Sequence, residues 1–428
     1  MFHRLTRATP SSSRPRPRPG QLGAWVGSIT GTERAFRLCH TAKLPLGNYF
    51  DQPHPLIARP RVPHCPPAGN QIERMLVLGI FFVLATATTA CQTRTVLPSW
   101  RLSRFKHLVT FGDSYTDESR LEYFINHGGV GPPPGTILAE SSLIRPWARY
   151  VAQYADSLSL HNYAVAGAVC SNEITPRHFT TIASDFPSVL EYEIPAWLEE
   201  HSLSPGGNGR RSHDLGTNTV FAILIGTNDL GNAAFLTDSQ VSGRLLHDYT
   251  ECVYRAFDAI YAAGGRSFVL MNTVPLHLAP QYAADGVPAT HYYPDKPSNL
   301  TQVAARIQRD TASVNEIFKY KTPYELLIGQ RYPGSDFALF DTWRMFTDVY
   351  TKPHLYLNGT EELTVNDWSH HCSVAGTDCV HRHNNSSPDS FMWWDELHPS
   401  EQVHRVLAGE IVNLLDGSSE YATYWSSR

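Results

Sequence analysis

Ser114 stands in "FGDSYTD", where the apolar run "HLVT" gives way to the helix-like "ESRLEYFINHGG". A serine alcohol becomes a nucleophile only when a base takes its proton, and the imidazole that does so gains from an acid that orients it. Near the far end of the chain, "WWDELHPS" sets Asp395 three residues before His398, just ahead of a closing helical pattern. Across a tight turn that offset lets the carboxylate reach Nδ1 while Nε2 faces a serine. Acyl transfer also needs donors in place before an oxyanion develops. "GTNDLG" offers the side-chain amide of Asn228, and "AVAGAVC" leaves the backbone N–H of Gly167 open to a substrate. Taken singly, each stretch is ordinary turn or helix-start chemistry. Their combination points to hydrolysis by Ser114, His398 and Asp395.

The elements that must hold these residues are legible as alternating patterns. From residue 104 onward, the strand-like "HLVTF", "LSLHNYAV", "TVFAILIG", "RSFVLMNTV" and "FALFDT" are separated by amphipathic helical patterns, and "SEQVHRVLAGEIVNLLDG" closes the chain. Such alternation predicts a mostly parallel sheet with helices on both faces, a three-layer α/β/α sandwich whose sites lie at the carboxyl ends of the strands. One domain is expected over 104–417, with a short linker at 91–103 and a C-terminal tail at 418–428. The stretch 276–298, with "YYPDKPS", reads as a surface loop. Asp113 and Asp117 read as turn or helix-capping residues, Trp147 as core, and His404 as a surface position on the closing helix.

In that order, "GDSYTD", "NYAVAG", "GTND" and "DELH" resemble the four blocks of the SGNH hydrolase superfamily, the GDSL-type esterases and lipases, over about residues 105–415. The resemblance implies a flavodoxin-like sandwich, Ser114 as nucleophile, His398 as base and Asp395 as its orienting acid. It also implies an oxyanion hole from the N–H of Ser114, Gly167 and Asn228, with no cofactor and no metal. Tyr115 stands where the family name has leucine. The wording "LVTFGDSYTDESR", "NYAVAGAVCSNEITPR" and "IGTNDLG" is similar to fungal secreted carbohydrate acetylesterases, which implies acetylated hemicellulose or xylo-oligosaccharides as substrate. A lipase or phospholipase acting on longer acyl esters is the alternative, and a carbohydrate-binding protein without turnover a remoter one. Trp393 and Trp394, beside the catalytic loop, are candidates for stacking on sugar faces.

Composition sets the compartment. Residues 1–74 hold 11 Lys+Arg against 3 Asp+Glu and 11 of the 30 prolines, the mark of a disordered Arg/Pro-rich extension. Residues 75–428 hold 24 Lys+Arg against 37 Asp+Glu, a net −13 that disfavours nucleic acid and anionic membranes as partners. Residues 75–90 read as a signal peptide from Met75 to a small-residue edge at Ala90, so a secreted, extracellular protein lacking 1–74 is expected. Oxidising conditions then allow Cys372 to pair with Cys379 across a short loop, and a second disulfide among Cys91, Cys170 and Cys252, of which Cys170 with Cys252 is the first candidate and the others stay open. "HHCSVAGTDCVHRH" also carries His370, His371, His381 and His383 in a zinc-like cluster, but the cysteine spacing is longer than zinc sites use. Sequons at Asn299, Asn358, Asn384 and Asn385 suit a secreted glycoprotein. A monomer acting on a small-molecule or oligosaccharide ester is expected.

Overall fold

The five apolar runs form five parallel strands in the computed structural model, which describes residues 99–138, 144–203, 218–381 and 387–427. They are β1 (His107–Gly112), β2 (Ser159–Asn162), β3 (Thr219–Leu224), β4 (Ser267–Met271) and β5 (Asp336–Phe340). Every residue of β3, β4 and β5 is buried. That is why these stretches read as continuous apolar runs rather than alternating ones: both faces of a parallel strand are covered. The order across the main sheet is β8-β5-β4-β3-β1-β2, where β8 (Ala422–Ser426) is an antiparallel edge strand on β5. Strand order therefore reverses at β1, with β2 on one side and β3 on the other, which makes the carboxyl ends of these three the switch point of a doubly wound sheet.

Helices cover both faces. They are α1 (Arg120–Asn126), α2 (Trp147–Tyr154), α3 (Ile194–Leu203), α4 (Leu246–Ala262), α5 (Leu300–Pro323), α6 (Thr342–Thr351) and α7 (Glu401–Leu415). Their starts follow capping chemistry: Asn299 accepts from the N–H of Gln302, Asp341 from Arg344 and Ser400 from Val403. A second, two-stranded parallel sheet pairs β6 (Thr364–Trp368) with β7 (Phe391–Trp393) and carries the chain into the Asp395–His398 loop. Two-residue antiparallel ladders close the hairpins His178–Phe179 with Ser184–Asp185, and His370–His371 with Val380–His381.

Three expectations change. Residues 418–428 are not a tail, because 422–426 supply β8, with Trp425 in register with Phe337. The domain also begins before residue 104: Trp100 is fully buried between Phe105 and Tyr424, and Arg104 pairs with Asp336 at 3.1 Å. His404 is buried, where its Nδ1 accepts the N–H of Trp147 at 3.3 Å and burial pushes its pKa down to about 3. Trp147 is fully buried as expected. The extension 1–74, the signal segment 75–90, Cys91, His383 and the sequons at Asn384 and Asn385 lie outside the described residues. Asn299 and Asn358 are exposed. Among the described residues no helix is long and apolar enough to cross a membrane.

Candidate active site

The Ser114 turn is built at the end of β1. The N–H groups of Thr116 and Asp117 both donate to the carbonyl of Asp113 at 2.9 Å, so the chain folds back and lifts Ser114 onto the sheet edge. Gly112 has φ +148°, and a Cβ there would lie 2.1 Å from the carbonyl of Leu224 at the end of β3. Only glycine lets the two strand ends close to this distance. Asp113 accepts the N–H of Tyr115 at 3.0 Å, and burial pushes its carboxyl up to about 6. Asp117 does more than cap α1. It accepts from Arg120 at 2.7 Å and Leu121 at 3.1 Å, and also from Ala166 at 2.8 Å in the loop after β2. The Ser114 turn and the Gly167 loop are thus tied by one half-buried carboxylate.

His398 approaches from the other side. Its Nε2 lies 2.8 Å from Oγ of Ser114, and its Nδ1 lies 2.9 Å and 2.8 Å from Oδ1 and Oδ2 of Asp395. Asp395 Oδ1 also accepts the N–H groups of Leu397 and His398 at 2.8 and 2.7 Å, which is the tight turn that the three-residue offset requires. The hydroxyl of Tyr115, the residue after Ser114, donates to the carbonyl of Leu397 at 2.6 Å and locks the two loops together. Burial is graded along the chain of groups: the Asp395 side chain is 6% exposed and that of His398 17%. Burial disfavours the imidazolium, but the adjacent Asp395 carboxylate more than offsets this, and His398 is held above the ordinary histidine value. Burial also disfavours the Asp395 carboxylate, yet the His398 charge and the hydrogen bonds to it hold Asp395 below the usual carboxylate range.

Gly167 and Asn228 occupy the neighbouring strand ends. Gly167 has φ +84°, and a Cβ would meet the Phe186 ring at 2.4 Å. Its carbonyl accepts from Arg177 at 2.9 Å, which holds the peptide plane between Gly167 and Ala168. Asn228, on a helical turn Thr227–Leu230 after β3, donates one amide hydrogen to the carbonyl of Ala168 at 2.8 Å. A primary amide has two. Ser114, Gly167 and Asn228 therefore sit at the ends of the adjacent strands β1, β2 and β3, the last two joined directly through Ala168.

Of the two tryptophans, Trp393 is fully buried, its Nε1 donating to the carbonyl of Val365 at 2.7 Å. It is a core residue that no sugar can reach, which corrects the expectation for it. Trp394 is half-buried and stacks on His370 with ring centroids 5.0 Å apart. Cys372 and Cys379 are joined as a disulfide, as are Cys170 and Cys252. The cysteine sulfurs beside His370 are therefore not the thiolates that bind zinc. One contact was not legible in the sequence: Tyr292, from the loop before α5, donates its hydroxyl to Oδ2 of Asp395 at 3.0 Å.

A hydroxyl, an imidazole and a carboxylate in line at the switch point of a doubly wound sheet form the arrangement of an ester-cleaving hydrolase. Residues 108–411 match the family described as GDSL-like lipase/acylhydrolase, and the chain belongs to it; it is a carboxylic ester hydrolase. An acetylesterase of Hypocrea jecorina is 36% identical over 75% of this chain and 92% of its own length. A thermolabile hemolysin of Vibrio parahaemolyticus is 24% identical over 73% of this chain and 65% of its own. Among solved structures, a catalytic mutant of an acetylxylan esterase from Geobacillus stearothermophilus aligns with a TM-score of 0.34 and 14% identity, covering 74% of this chain and 95% of that one.

Proposed function

We propose that the protein is a secreted serine esterase that removes acetyl groups from carbohydrate esters. The observation that carries the chemistry is the unbroken hydrogen-bonded line from Ser114 through His398 to Asp395. Ser114 Oγ attacks the ester carbonyl carbon as His398 Nε2 takes its proton, and Nδ1–H stays on Asp395. The tetrahedral oxygen is held by the N–H of Ser114, the N–H of Gly167 and the second amide hydrogen of Asn228. Collapse returns the proton to the leaving alcohol. Water then repeats the sequence on the acyl-enzyme, releasing acetate and free serine.

Two features support the finer reading. The relative at 36% identity is named an acetylesterase, and the match spans 92% of its length. Two disulfides suit an oxidising compartment, in keeping with removal of residues 75–90 as a signal segment and a mature chain that starts near Cys91. The enzyme works as a monomer on a soluble oligosaccharide ester. A chain-length series tests the assignment: turnover should fall steeply from acetyl to butyryl to octanoyl esters, since each methylene refused by a short pocket is worth about 1–3 kcal/mol. Acetate should also be released from acetylated xylo-oligosaccharides. Octanoyl esters cleaved as fast as acetyl esters, with no acetate from the oligosaccharides, would make this a lipase instead.

A further inference from the structure

Asp395 is almost wholly buried, and its two oxygens are held differently. Oδ1 is fixed by two backbone N–H groups of its own turn, Leu397 and His398. Oδ2, apart from its contact with the His398 ring, takes its partner from far along the chain: the Tyr292 hydroxyl at 3.0 Å, 103 residues upstream. The Tyr292 ring also stands edge-on against the His398 ring, with centroids 5.3 Å apart and planes at 78°. One side chain thus touches both members of the pair that must stay aligned on Ser114. Tyr292 is 38% exposed. An exposed tyrosine ordinarily keeps its polar tip in water; here the tip is turned inward onto a buried carboxylate.

We propose that Tyr292 is a positioning residue: its hydroxyl fixes Oδ2 of Asp395, and its ring fixes the plane of His398, so that Nε2 remains on Ser114. The inference rests on the triad reading above. The loop that presents it is itself anchored. The Tyr292 carbonyl accepts from Asn232 at 2.8 Å, and the N–H groups of Thr290 and Tyr293 each donate to the other's carbonyl at 3.1 and 3.2 Å. Next to it, the His291 ring packs on the hairpin closed by Cys372 and Cys379. Its Nδ1 lies 3.4 Å from the Val374 carbonyl, and a Cβ on Gly376 would come within 2.5 Å of the ring. Burial, and then the Asp395 charge, push the Tyr292 hydroxyl far above the ordinary phenol value, so it serves only as a donor.

Comparing Tyr292→Phe with the parent, alone and on Asp395→Ala, tests this. The other titratable groups facing the pair are Asp113, Tyr115, His370, His371 and His404, and all stay in place. A hydrogen bond to a charged group is worth enough for kcat on an acetyl ester to fall at least about 10-fold, with KM within about twofold. Losing the donor concentrates charge on Asp395, which should raise the His398 pKa and move the acid limb of kcat/KM to higher pH. On Asp395→Ala the same change should add less than about twofold, because the coupling partner is gone. A parent-like kcat with an unmoved acid limb overturns the proposal, as does an equal loss on Asp395→Ala. A fall in Tm of more than about 5 °C in Tyr292→Phe would assign the residue to stability instead. Ser114→Ala separates the two levels: activity retained there sinks the triad and this inference together, whereas activity lost there with Tyr292→Phe neutral sinks this inference alone.

Discussion

At the scale of single residues, the proposed mechanism makes Ser114 and His398 one unit, so removing either should remove the same chemistry. Ser114→Ala and His398→Ala should each leave a folded protein with turnover on an acetyl ester at least about a thousandfold lower. Asn228→Ala, which loses one oxyanion donor, should lower kcat about 10²–10³-fold. The pH profile carries a sign. His398 must be neutral to take the Ser114 proton, and its pKa is raised, so kcat/KM should be lost as pH falls through a midpoint above the ordinary 6.5. A midpoint below 6.5 would contradict the Asp395 contact. These residues were legible because chemistry dictates their types and the four blocks keep their order. Tyr292 was not, since no spacing rule ties a loop to a carboxylate 103 residues away. Trp393 was misread for a different reason: neighbouring strand residues point to opposite faces. Composition cannot say which of Trp393 and Trp394 faces in.

At the scale of elements, the catalytic loop depends on what precedes it. β7 runs straight into Asp395, and its Trp393 is fully buried against Phe346 with ring centroids 6.2 Å apart. Trp393→Ala should therefore destabilise the protein by about 3–5 kcal/mol through loss of burial and the cavity left behind. Trp394→Ala, on the half-buried side, should cost clearly less; thermal or denaturant unfolding of the two variants decides this, and equal losses would contradict the burial described. β1, β3, β4 and β5 were readable because burial on both faces writes an apolar run, whereas β2, at the sheet edge and exposed to half-exposed, was legible from the helical pattern before it. β8 and α6 were not. β8 is mostly half-exposed and antiparallel, a short edge strand of five residues without the apolar run of a buried one. α6 begins at the Asp341 cap, directly where "FALFDT" reads as strand, so the helix start was absorbed into the strand end.

At the scale of the whole molecule, charge separates the two substrate classes that the site chemistry alone leaves together. Residues 75–428 carry a net −13, and the proposed mechanism needs no anionic handle on its substrate, since the donors it sets on the reacting oxygen are two backbone N–H groups and a neutral amide. A neutral acetylated oligosaccharide should feel none of the molecule's field, so kcat/KM on it should stay within about twofold as salt rises from low to physiological strength. An ester presented on anionic vesicles meets a like-charged protein, with interactions reaching over a Debye length of about 30 Å at 0.01 M salt and about 8 Å at 0.15 M. Hydrolysis there should be slow at low salt and rise as salt screens the repulsion. Measuring both substrates across the same salt series distinguishes the cases. Fast vesicle hydrolysis at low salt would mean that a local apolar or basic surface outweighs the net charge, and the lipase alternative would then take precedence over the carbohydrate esterase.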